Sequence, residues 1–115
     1  MAEQLAESMG GSCEVKVIVG YPCLVNHGQL TEDCKSAAQQ YLGSDLVYDI
    51  PIRMTSEGFS YFSQSADVCF YRLGVRNIDE GIVSAVHTPT FNIDESSLET
   101  AIGLMSYLTI DLLSA

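Results

Sequence analysis

Two residues of this chain combine a reactive side chain with neighbours suited to presenting it, His87 and Glu57. His87 lies in Val86-His87-Thr88-Pro89-Thr90-Phe91, just ahead of Asn92-Ile93-Asp94-Glu95, where an amphipathic helix begins. An imidazole on an extended segment, stiffened by the proline and anchored by a helix start, is suited to ligating a metal or moving a proton. A tight metal site needs three or four protein ligands. The remaining nitrogen and sulfur donors are His27, expected at the surface in a glycine-containing turn, and Cys13, Cys23, Cys34 and Cys69. One arrangement these allow is a small independent metal site built from His87, His27 and a cysteine. The cysteines lack C-x-x-C spacing and sit beside apolar residues, so they read as buried thiols of a reducing compartment. Glu57 falls in the first turn of a short helix, where an acid complements the helix dipole. Phe59, Tyr61 and Phe62 beside it would line a pocket or fill a core, and Asp94 and Glu95 read as capping residues.

The elements that must position these groups follow from periodicity. Leu5, Ala6 and Met9 have helical spacing, and Gly10-Gly11 ends them as a C-cap. Cys13 to Tyr21 alternates like a half-buried strand that Pro22 ends. A second helix is expected from Leu30 to Leu42, with Thr31 as cap and Gly43 as stop, and with Leu30, Cys34, Ala37, Ala38, Tyr41 and Leu42 on one stripe. Leu46 to Ile50 reads as a short extended segment that Pro51 makes an edge or terminal piece. Thr55 to Phe62 reads as a short helix capped by Ser or Thr. Val68 to Val75 is the continuous apolar run of a strand buried on both faces, and Arg76 to Val83 is polar and loop-like. From Asp94 to Leu113, residues Leu98, Ala101, Ile102, Met105, Leu108 and Leu112 recur at helical spacing, with Ser96 and Glu99 as a capping box. The alternation is that of an α/β or α+β chain.

Composition narrows the class. The 115 residues include 47% hydrophobic ones, enough for one modest core. Fifteen acidic against five basic residues give a formal charge of −10, which repels phosphate backbones and anionic membrane faces. Glu3 and Glu7 stand where a signal peptide would be basic, and no apolar stretch approaches the roughly 20 residues of a membrane span. Neither a nucleic-acid nor a membrane partner is expected, and cytoplasmic residence is. No G-x-S-x-G, P-loop, G-x-G-x-x-G or H-E-x-x-H motif is present.

Taken together, Gly20-Tyr21-Pro22-Cys23-Leu24-Val25-Asn26, Ser56-Glu57-Gly58-Phe59, Leu73-Gly74 and His87-Thr88-Pro89-Thr90-Phe91 resemble the C-terminal part of the zinc-type N-acyl amino acid amidohydrolases. That family includes aminoacylase, hippuricase and carboxypeptidase-like hydrolases. The resemblance covers nearly the whole chain but only about the last third of a family member. It implies a partial catalytic domain of a two-domain, three-layer α/β/α metallohydrolase, with residues 1–25 ending a lid that often mediates dimerisation and 26–115 belonging to the catalytic domain. By the same resemblance His87 matches the last ligand of a two-metal site, zinc being the expected divalent ion. Glu57 and Phe59 match a Glu-Asp-Phe motif beside the substrate, an N-acyl amino acid or small peptide. The chain departs from the pattern at Gly58, where the family has Asp, and at His27, where it has a small or acidic residue. The implied mechanism, a metal-activated water attacking an amide while a glutamate shuttles protons, needs ligands and a base that the resemblance places outside this chain. The chain alone is therefore expected to be inactive, to expose apolar surface and to form homo-oligomers. A non-enzymatic module, associating through the edge of Glu14 to Tyr21, is the alternative.

Overall fold

Alternation of small and apolar residues decides where the chain packs. In the computed structural model, which describes residues 1–114, helix α2 (Gly28–Leu42) lies against helix α3 (Ser97–Ser114). Cys34, Ala37 and Ala38 of α2 are buried against Leu104 and Leu108 of α3, with Leu30, Leu42, Val47, Cys69 and Tyr107 around them. The α2 residues at the contact are short, which lets the helix axes approach. Gly103 extends this to the tyrosines: a Cβ there would lie 2.0 Å from the Tyr41 hydroxyl, and Tyr41 stacks on Tyr107 with centroids 5.2 Å apart. The buried face of α3 is thus centred on Leu104 and Leu108. Leu98, Ile102 and Met105, expected to share the packed stripe, are exposed. α3 is apolar nearly all round, so periodicity alone does not choose its inner face.

The helix ends differ from expectation at two of three starts. α1 (Ala2–Ser8) stops as its glycines require: Gly10, at φ 78°, donates to Glu7 O and Gly11 to Ala6 O, both orphan carbonyls of the last turn. α2 begins before Thr31, and its cap is His27, whose Nδ1 accepts from Leu30 N at 3.3 Å. Thr31 lies inside the first turn, its hydroxyl donating back to His27 O at 2.8 Å. Gly43 ends α2 as expected. At α3 the hydroxyl of Ser96 donates to Asp94 Oδ1 at 2.7 Å and is spent there, so the Ser96/Glu99 capping box does not form. Ser97 Oγ instead reaches Asp94 O at 2.6 Å.

The three segments with strand-like sequences, 13–21, 46–50 and 68–75, form no ladder among the described residues, where the one β-bridge is Asn77 with Ile82. A strand gains its hydrogen bonds from a neighbour, and none lies alongside. In 68–75, Val68 is buried but Tyr71 and Arg72 are exposed, so it is not covered on both faces. Residues 76–83 make a tight reversal, with Gly81 at φ 71° closing onto Ile78 O. The radius of gyration is 20.7 Å, against about 13 Å for a closed domain of this length. The accessible surface is 9504 Å², against about 6,200 Å² for a folded monomer of this mass. The chain therefore carries apolar surface that its own residues do not cover.

Candidate functional site

His87 sits at the tip of a reversal and not in an extended segment. Its φ is 65°, the one positive value among the described non-glycine residues. Proline at 89 disfavours helical backbone at Thr88. Thr88 closes bonds in both directions, its hydroxyl donating to Ala85 O at 2.7 Å and its carbonyl accepting from Phe91 N at 3.1 Å. The reversal is therefore taken up one residue earlier, at His87. Ser84 and Thr90, linked through their hydroxyls at 2.8 Å, tie the two limbs together. The imidazole is exposed, and no hydrogen bond or ion pair among the described residues engages it. Left-handed backbone at a residue with a Cβ is held at a cost, and such positions cluster where a side chain must point in a fixed direction.

Glu57 is itself the cap of the short 3₁₀ helix Gly58–Gln64, in place of the expected Ser or Thr. Its Oε1 accepts from Phe59 N at 3.1 Å, and its carbonyl from Ser60 N at 3.1 Å. Phe59 is half-buried, its ring 5.4 Å from Phe62 and 5.5 Å from Phe70. Gly58 has ordinary backbone angles and open space where a Cβ would stand. An aspartate would therefore fit there.

Two contributors have roles that the sequence does not display. Asn26 uses its carboxamide as a section of strand: Nδ2 donates to Phe70 O and Oδ1 accepts from Phe70 N, each at 2.9 Å. His27 N donates to Val68 O at 2.8 Å beside it. The second is Ser60, wholly buried, whose hydroxyl finds no partner among the described residues. A motif residue such as Asn26 is visible in sequence, but its partner 44 positions away is not.

Burial and hydrogen bonding tune the neighbouring groups. Desolvation, reinforced by the Cys69 thiol and by Asp33 and Asp111, pushes Cys34 up to about 11. Asp94 is held below the usual carboxylate range by the Ser96 hydroxyl, then by Asn77 Nδ2 at 2.6 Å and the Ser96 amide. Burial raises Tyr71. The Asp49 carboxylate, 2.8 Å from Nζ, raises Lys35. Beside these groups an apolar groove of about 440 Å³ runs between α2 and the segments 46–50 and 69–74, with Cys34, Val47, Cys69, Tyr71 and Leu104 in its walls.

No group of three or more His, Cys, Asp or Glu side chains among the described residues could hold a metal ion. His27 is turned to its capping role and to Asp67, 3.8 Å away. Cys13 and Cys23 are exposed and not buried, because nothing packs over the segment that carries them. An independent site from His87, His27 and a cysteine is thus not assembled. A divalent ion would find one free imidazole donor here, too few to hold it. No helix among the described residues is long and apolar enough to cross a membrane.

Comparison with known proteins places these features. The model of the peptidase family M20/M25/M40 matches residues 3–111. The chain is 36% identical over 101 residues to an uncharacterized hydrolase of Staphylococcus aureus, covering 85% of this chain and 26% of that protein. It is 29% identical over 109 residues to an uncharacterized hydrolase of Staphylococcus epidermidis, covering 94% of this chain and 28% of that one. The chain thus spans about a quarter of the length of the curated relatives it matches. No solved structure matches.

Proposed function

Because the chain belongs to the peptidase family M20/M25/M40, a family of metal-dependent hydrolases, we propose that it supplies one metal-ligating imidazole, that of His87, to an amidohydrolase. The proposed substrates are N-acyl amino acids or small peptides, and the proposed metal centre holds two divalent ions, zinc by preference. The observation that supports this reading is the backbone of His87, held left-handed with a free, exposed ring. Glu57 and Phe59 stand beside the substrate, and Gly58 leaves there the space an aspartate would take. The remaining ligands and the general base come from residues other than those described, in a three-layer α/β/α catalytic domain that includes residues 26–115, with 1–25 ending a lid. The protein works in the cytoplasm as a homo-oligomer.

The test is calorimetric titration of zinc into the purified chain near neutral pH, beside His87→Ala. One imidazole and a full ligand set differ by orders of magnitude in affinity, so the chain should bind weakly or not at all and hydrolyse no N-acyl amino acid. Tight binding lost in His87→Ala would show that the chain builds its own site and would overturn the proposal. So would amide hydrolysis by the purified chain that His87→Ala abolishes.

A second reading is favoured by the segment 13–21, whose residues Val17 (80%), Ile18 (81%) and Val19 (91%) are exposed with no ladder formed. Such an edge accepts a strand of another chain. Dimerisation that survives dilution and disappears in Val17→Pro, with no metal dependence, would favour a non-enzymatic module.

A further inference from the structure

We propose that Cys34 and Cys69 are a reversible disulfide pair that fastens α2 to the segment 68–75 when a small-molecule disulfide of the glutathione class is the oxidant. The four cysteines divide by position. Cys13 and Cys23 are exposed, Cys34 is buried in the contact between α2 and α3, and Cys69 packs against that same buried cluster. Both Cys34 and Cys69 face the apolar groove. The backbone around Cys69 is held on either side: Val68 O receives His27 N, and Phe70 N and O are paired with Asn26. Asn26 and His27 lead directly into the helix that carries Cys34. The two cysteines therefore border one buried cluster and one groove, across a frame that Asn26 and His27 fix. A disulfide forms where backbone geometry already brings the side chains together.

The exchange balances as two displacements. The Cys69 thiolate attacks one sulfur of the small disulfide, forming a mixed disulfide and releasing one small thiolate. The Cys34 thiolate then attacks the Cys69 sulfur, closes the protein disulfide and expels the second. The two protons lost by the protein thiols end on the two small thiols released, and two electrons pass from protein to oxidant. Cys34 is surrounded by groups that oppose its ionisation: apolar walls, the Cys69 thiol, Asp33 on its own helix and Asp111 on α3; the Tyr71 hydroxyl of 68–75 is in turn raised by burial and by the two cysteines. Burial, Asp33 and Asp111 still hold Cys34 above the ordinary thiol range once Cys69 is a mixed disulfide, so the closing step is slow at neutral pH and quickens as pH rises.

The experiment is native incubation of the protein with oxidised glutathione, followed by non-reducing tryptic mass mapping. Trypsin leaves Cys23 and Cys34 together on 17–35, so the map is made in a Cys13→Ser/Cys23→Ser background. The expected product joins 17–35 to 54–72 with loss of two hydrogens. It should be reversed by dithiothreitol and should raise the Tm by at least roughly 5 °C. In a further Cys69→Ser variant, Cys34 should stay free while Cys13 of the wild type is modified. Separate glutathione adducts on Cys34 and Cys69, or two unreacted thiols where Cys13 of the wild type reacts fully, would overturn the pairing. Modification of Cys34 in Cys69→Ser as fast as that of Cys13 would overturn it too.

Discussion

The carboxamide of Asn26 pairs with both backbone polar groups of Phe70, at 2.9 Å in each direction. Phe70 in turn stacks on Phe59, whose amide is held by the Glu57 carboxylate. One side chain on the approach to α2 thus locates the segment bearing the two substrate-side candidates. Asn26→Ala leaves a partly buried N–H and C=O unpaired and should cost about 1–3 kcal/mol. Urea unfolding measures it, and a loss below about 0.5 kcal/mol would show the clamp to be incidental.

Left-handed backbone at His87 separates strain from ligation. His87→Gly relieves a cost of roughly 1–2 kcal/mol, partly offset by the freer unfolded chain, and should be at least as stable as the wild type. His87→Val should lose about 1–2 kcal/mol, because a β-branched residue fits φ 65° poorly. Both should abolish whatever zinc binding the intact enzyme owes to this position. Thermal melts beside metal analysis distinguish the two effects.

Glycine at 103 makes room for the Tyr41 hydroxyl. Gly103→Ala should crowd the Tyr41 hydroxyl and ring and push the ring off Tyr107, and an overpacking cost of about 1–3 kcal/mol should outweigh the helix-propensity gain of about 1 kcal/mol. In a Tyr41→Ala background the same change should become stabilising by up to about 1 kcal/mol. A double-mutant cycle by urea denaturation reads the reversal, and two effects of the same sign would refute it.

Acid stability should depend on Asp94. Its carboxylate is held below the ordinary range in the folded chain, by the Ser96 hydroxyl first and then by Asn77 and the Ser96 amide. A depressed folded pKa means stabilisation that is present above the unfolded value and lost as pH falls through the folded one. The loss should fall below about pH 4, and Asp94→Asn should flatten that limb of the stability profile. Equal acid sensitivity in the variant would assign the loss to other carboxylates.

Gly58→Asp tests the substrate side without disturbing the fold. With open space at that Cβ and unstrained backbone, the change should shift stability by no more than about 0.5 kcal/mol. On the proposed function it should also move the substrate preference of the intact enzyme, measured as the ratio of kcat/KM between two N-acyl amino acids. An unchanged ratio would place residue 58 away from the substrate.

What was legible in the sequence was local. Gly10-Gly11 and Gly43 end their helices as expected, because a positive-φ glycine acts within one turn. The small-residue stripe of α2 was readable for the same reason, with Cys34, Ala37 and Ala38 all buried. The starts of α2 and α3 differ from what residue type suggests, because where two capping side chains compete the winner depends on tertiary contacts such as His27 N to Val68 O. Strand pairing was not legible at all, because a ladder is a property of two segments. The turn at His87 combined both cases: Pro89 announced a constraint, but which residue absorbs it depends on hydroxyl bonds from Ser84, Thr88 and Thr90.

The exposed run Val17-Ile18-Val19 also bears on solubility. Short, β-branched, uncharged segments are the nuclei of cross-β fibres. Here the run is bracketed by Glu14 and Lys16 on one side and by Gly20 and Pro22 on the other, residues that break stacking. They act as gatekeepers, and the net charge of −10 adds repulsion between chains. Removing the proline, as Pro22→Val, should therefore shorten the lag before thioflavin-positive fibrils appear, although that residue is not buried in the folded chain.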